Sequence, residues 1–125
     1  MIEQLLIPAL TAATGVPVRN LHGEQFDDLK PADVPLVVVS RVGTDYEPWE
    51  TNCGPNDDIA DVMVQIDYFA NTLAEAWRLA HLGKVAVATF SNSSPLDESP
   101  FWESQLRVHR VTATHFVTDY QPEIV

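Results

Sequence analysis

The sequence predicts an α+β fold: a mostly antiparallel sheet of about four strands, two helices packed on one face, and a long acidic hairpin arm or loop. Three observations predict it. A strand pattern over Ile59–Ala70 runs almost directly into an amphipathic helix. A helical pattern occupies the first fourteen residues, and β-branched or alternating runs recur near residues 36 and 105. At 125 residues the chain fits one domain.

The first helix is expected over Ile2–Thr14, with Leu5, Leu6, Ala9, Leu10 and Ala13 on one apolar face. Gly15 suits a left-handed cap and Pro17 lies just beyond it. Pro8 cannot donate to the Gln4 carbonyl, so a kink or a loose first turn is expected there. Val16–Leu21 reads as a short strand and Gly23–Asp33 as a polar loop. The run Leu36-Val37-Val38-Val39 suits a strand covered on both faces, or one packed at a subunit contact.

Gly43–Asp58 carries Asp45, Glu47, Glu50, Asp57 and Asp58 without a lysine or arginine. It reads as an extended hairpin arm or a flexible loop, since connections beyond about 12 residues are uncommon without a function. In Ile59–Ala70, Val62, Val64, Ile66 and Tyr68 alternate with Asp61, Met63, Gln65, Asp67 and Phe69. Thr72 and Glu75 then have capping-box spacing. Helical periodicity gathers Leu73, Ala76, Trp77, Ala80, Gly83 and Val87 into a stripe expected to lie on the sheet, with Trp77 as its largest anchor. Leu82 and Val85 fall off that stripe, either to meet another subunit or as scattered surface apolars. Ser91–Pro100 reads as a turn-rich break. Gln105–Tyr120 reads as strand, but its apolar residues change parity, which predicts a bulge or break near His109–Val111.

The net charge is −11, from 18 acids against 7 lysines and arginines. Such a chain is repelled by phosphate backbones and anionic membranes. No run of about 18 apolar residues is present, and the first residues lack the cationic start of a secretory signal. The glycosylation triplet Asn92-Ser93-Ser94 is therefore read as chance. Cys53 stands alone among acidic neighbours, a setting that disfavours a nucleophilic thiolate. His109 and His115 share a segment but are six residues apart, too far to hold one metal ion unaided. There is no calcium loop, phosphate loop or nucleophile elbow. The expectation is a non-enzyme with no catalytic residue, metal or cofactor.

The order helix, strand, arm, strand, long helix, strand resembles the tail-terminator (tail-completion) proteins of tailed bacteriophages. The likeness is carried by Pro35-Leu-Val-Val-Val39, Val62-Met-Val-Gln-Ile-Asp-Tyr-Phe-Ala70, Thr72-Leu-Ala-Glu-Ala76 and the late Thr118-Asp119-Tyr120, and it spans roughly Met1 to Tyr120. The resemblance implies a virion protein, assembled in the host cytoplasm, that forms a ring, commonly a hexamer. Such a ring seats on the head-proximal end of the tail tube, halts tube growth and meets the head–tail connector. DNA passes through it without specific binding, and an acidic lumen would not retard the genome.

On this reading Tyr46, Trp49, Phe101 and Trp102 are the expected contact anchors, because large aromatics in polar segments are costly to expose. Glu50 sits beside them in the arm, and Leu82 and Val85 add an apolar helix surface. Arg107 and Arg110 either bridge to acids on a neighbour or are surface charges worth little. Alternatives are another neck or minor tail component such as a stopper, an acidic DNA-mimic inhibitor, or a small enzyme or ligand-binding domain.

Overall fold

Two helices cover one face of a five-stranded mixed sheet in a computed structural model that describes residues 2–20, 29–45, 59–89, 93–104 and 107–120. The elements are α1 (Ile2–Thr14), β1 (Val18–Asn20), β2 (Leu36–Asp45), β3 (Ile59–Ala70), α2 (Leu73–Val87), β4 (Ser93–Glu103) and β5 (Val108–Tyr120). The sheet order is β1-β2-β3-β5-β4. β1 runs parallel to β2, and the other neighbours are antiparallel. A short 3-10 turn, Pro31–Asp33, leads through a cis Val34–Pro35 peptide into β2.

The sheet has five strands where about four were expected, because residues 93–100 of the expected Ser91–Pro100 break belong to strand β4. Its serines and prolines hid it. As an edge strand β4 pairs on one side only, so Pro95 and Pro100 need not donate outward. The Tyr46–Asp58 part of the expected acidic arm lies outside the described residues.

α1 ends as its sequence predicts. Gly15 has φ +73°, and its N–H donates to the Thr11 carbonyl at 2.9 Å. Pro8 lies inside the helix. Leu6, Leu10 and Thr14 are buried, whereas Leu5, assigned from sequence to the apolar face, is exposed.

β2 is covered on both faces. Val37 and Val39 join the core beneath the helices, with Leu6, Leu10, Ile66 and Leu79. Leu36 and Val38 join a second cluster with Leu29, Phe69 and Val108, flanked by Val34. That second cluster also explains the parity change in β5. Val111 and Ala113 face the helices while Val108 faces the other way. The register between β3 and β5 runs unbroken from Ala70↔His109 to Ile59↔Tyr120, so the bulge expected near His109–Val111 is absent. Irregularities fall instead at Arg41/Gly43 in β2 and Pro95/Asp97 in β4.

At the start of α2, the Glu75 N–H donates to Thr72 Oγ1 at 3.1 Å, which is one half of the expected capping box. The Glu75 carboxylate turns to Arg78 instead, accepting from Nε at 2.9 Å. The helix buries Ala76, Leu79, Ala80, Gly83 and Val87. Trp77 is therefore not the core anchor expected: it is 38% exposed, and Leu73 is exposed beside it. The true stripe is rotated toward Leu79. Small residues let α2 lie close to the sheet, most of all at Gly83. A Cβ there would sit 2.0 Å from Tyr68 Oη.

Candidate interaction surface

β4 is the sheet's longer free edge, and it carries two large aromatics. Phe101 is 51% and Trp102 57% exposed. Strand alternation sends them to opposite faces. Trp102 stacks edge-on against His109, with ring centroids 5.0 Å apart. Phe101 pairs in register with Arg110 on the face away from the helices.

Register and helical spacing then place further exposed apolar residues relative to β4. Lys84 Nζ lies 3.3 Å from Glu98 Oε1, so this flank of α2 faces β4. Trp77 is seven residues and Leu73 eleven residues before Lys84, two and three turns along the same flank. Trp102 is four residues beyond Glu98 and shares its sheet face. Through His109 it aligns with Ala70, where β3 ends and α2 begins. Leu73 and Trp77 thus lie on the flank of α2 that faces β4, and Trp102 lies on the helix-side face of β4, with Pro100 exposed on the same strand.

The remaining expected contact residues are placed as follows. Val85 is 56% exposed on the outward side of α2, and Leu82 is half-buried next to it. Arg107 is exposed at the β4–β5 connection, in a left-handed conformation with φ 54°. Arg110 is engaged within the subunit. Its Nε donates to Asp67 Oδ1 at 2.7 Å and its Nη1 to Glu103 Oε1 at 2.6 Å, and it lies over the Phe69 ring. Burial works against its charge, but Asp67 and Glu103 outweigh that and hold the guanidinium charged. Tyr46, Trp49 and Glu50 lie outside the described residues.

Two buried polar features were not anticipated from sequence. Asp67 is fully buried and also accepts from Thr112 Oγ1 at 2.6 Å and Gln65 Nε2 at 2.9 Å. Its clearest signal was a lone acid between apolar neighbours in a strand. On the helix side, Tyr68 Oη and both ring nitrogens of His115 are buried without a hydrogen-bond partner among the described residues. Burial pushes the Tyr68 hydroxyl well above its ordinary range and pulls the His115 imidazole down. Neither feature opens into a reactive constellation. No group of three or more His, Cys, Asp or Glu able to hold a metal ion occurs among the described residues. No described helix is long and apolar enough to cross a membrane.

Charge is distributed as unevenly as apolar surface. Residues 63–113, which include α2 and β4, hold five acids and four cations. The first twenty residues hold Glu3 and Arg19. Residues 41–62, spanning the β2–β3 connection, hold six acids and one cation. Register places Asp45 opposite Asp61, and Asp119 opposite Ala60, at that same end of the sheet. Asp45, Asp61 and Asp119 therefore lie at the opposite end of the sheet from Phe101 and Trp102.

No protein-family model matches this chain, and no curated protein matches it.

Proposed function

We propose that this chain is a structural subunit that assembles into a ring of the tail-terminator type. The ring would sit at the head-proximal end of a phage tail tube, end tube polymerisation and meet the head–tail connector. The observation that carries this reading is the free edge strand β4, with Phe101 and Trp102 more than half exposed in a nearly neutral part of a strongly acidic chain. Aromatics exposed together are typical anchors of protein contacts. Asp45, Asp61 and Asp119 at one end of the sheet would give such a ring an acidic zone, compatible with passing DNA that must not adhere. The two-helix, one-sheet architecture is the one implied by the resemblance to tail terminators.

The function works by binding. Self-docking buries the apolar edge, closure of a head-to-tail contact limits the assembly to a ring, and a second surface caps the tube. Light scattering coupled to size exclusion should give one closed oligomer, and electron microscopy should show annuli. Added to a polymerising tail tube protein from the same genome, the chain should shorten tubes and appear at one end only. A protein that stays monomeric to high micromolar concentration and leaves tube length unchanged would overturn the reading.

A further inference from the structure

Near the Lys84–Glu98 pair, the helix-side face of the sheet turns polar. His115 on β5 is 2% exposed, and neither of its ring nitrogens has a hydrogen-bond partner among the described residues. Its register partner on β3 is Val64, which is fully buried and offers none. On β4, Glu98 stands opposite Ala113, two residues before His115 and on the same face. Glu98 and His115 are therefore diagonal cross-strand neighbours. Such neighbours lie about 7–8 Å apart, a gap that a glutamate and an imidazole can close between them. Ala113, between them, presents only a methyl group.

Glu98 is already engaged. Its Oε1 lies 3.3 Å from Lys84 Nζ, which ties α2 to the edge strand. The lysine is 49% exposed and the glutamate 23%, and an ion pair this wet contributes little.

We propose that Glu98 is a latch with two positions, set by the protonation of His115. With a neutral imidazole, Glu98 holds Lys84 and pins α2 to β4. When His115 takes up a proton, Glu98 leaves Lys84, accepts a hydrogen bond from the imidazolium and releases that end of α2 from the strand. The device is internal to one subunit and does not depend on the ring reading.

Solvation and charge favour the exchange. A buried imidazolium without a counter-charge is costly. The same carboxylate gains more from an ion in low-dielectric surroundings than from a half-exposed ammonium. Burial does most to keep His115 neutral; Glu98 favours its proton and Lys84 disfavours it. Among the described residues these two are the charged groups that act on the ring. From β3, Tyr68 shares the face, and burial above all keeps its hydroxyl protonated. From α2, His81 is exposed. Asp67 and Arg110 pair with each other on the opposite face.

The test titrates isotopically labelled full-length protein by NMR from about pH 7.5 to about pH 4.5. It follows the His115 ring, the Glu98 carboxyl carbon and the exchange of the Gly83–Val87 amides relative to their intrinsic rates. The Glu98 carbon should shift in step with the His115 ring. Across that step, amide protection at this end of α2 should fall about two- to fivefold, the loss expected when an exposed ion pair opens. Glu98→Gln should depress the titration of His115 further, and Lys84→Met should raise it. Lys84→Met should also show the lowered protection at neutral pH, with no further step. In His115→Leu the step at that pH should vanish. Glu98 and Lys84 are partly exposed, so their variants decide the matter if His115→Leu does not fold. A His115 titration that Glu98→Gln leaves unmoved overturns the proposal, as does a ring that stays neutral throughout. So does Lys84→Met with amides as protected as those of the wild type at neutral pH.

Discussion

Gly83 offers the sharpest check on how the helix layer sits. On an exposed helix, Gly→Ala stabilises by about 1 kcal/mol, because alanine loses less backbone freedom. Here the sign should reverse. A Cβ at Gly83 would stand 2.0 Å from Tyr68 Oη, 2.6 Å from Cζ and 2.7 Å from Cε1. Those atoms belong to a fully buried, rigid ring, so the ring or the helix must move. Overpacking of this kind costs about 1–3 kcal/mol, and a contact this close belongs at the upper end. Less the helix gain, Gly83→Ala should lose about 2 kcal/mol, read by urea unfolding or as a fall in Tm of roughly 8 °C. Tyr68→Leu removes the obstructing atoms, so in that background the same change should cost nothing or stabilise. The double-mutant cycle then yields a coupling of about 2 kcal/mol or more. If Gly83→Ala stabilises the wild type by about 1 kcal/mol, α2 does not rest on Tyr68 and the helix is misplaced.

Two further outcomes follow from buried polar groups. Asp67→Asn removes the charge that faces Arg110 in a fully buried position, and should destabilise by about 3 kcal/mol; a loss below about 1 kcal/mol in denaturant titration would mean that the network carries little. His115 is held neutral, its pKa lowered from the ordinary 6.5 mainly by burial, with Glu98 opposing and Lys84 adding to the shift. Above about pH 6.5 both folded and unfolded states are neutral and no penalty arises. Below it the unfolded chain binds a proton that the folded chain refuses, so stability falls with pH until the lowered folded pKa is reached. His115→Leu should flatten the fall in stability as pH drops below about 6.5, and equal slopes in the two proteins would refute the assignment.

Much of this architecture was legible because local chemistry and tertiary packing agree. The ends of α1, the Gly15 cap, the bounds of β3 and the Thr72 cap are all written in nearest neighbours. What misled was the assumption of one apolar face per element. β2, β3 and β5 bury residues on both sides of the sheet near Leu36, Phe69 and Val108. Val108 therefore looked out of phase with Val111, and a bulge was expected where a straight strand suffices. In α2 the reverse occurred. Periodicity alone cannot distinguish a core stripe from one rotated by a side chain, so it put Trp77 on the buried stripe where the structure has Leu79. Strand β4 was missed because edge position, which makes prolines tolerable, is a property of the sheet and not of the segment. The exposed apolar set was the least legible feature. The Leu73–Trp77 flank of α2 comes to face β4 only through the crossover that carries α2 back over β3 and β5.

The charge has a different meaning once it is placed in the fold. A net −11 spread evenly would oppose any self-association, since every approach would set acid against acid. Asp45, Asp61 and Asp119 gather at the β2–β3 end of the sheet, and copies meeting there are pushed apart. The acids then act less as a solubility device than as a filter on orientation. Like-charge juxtaposition excludes wrong contacts at a cost that apolar burial alone cannot impose, because burial is non-directional. The aromatics provide attraction, and the acids leave one sense in which it can be used. A subunit that must close a ring and go no further needs both, since attraction without that restriction yields open aggregates.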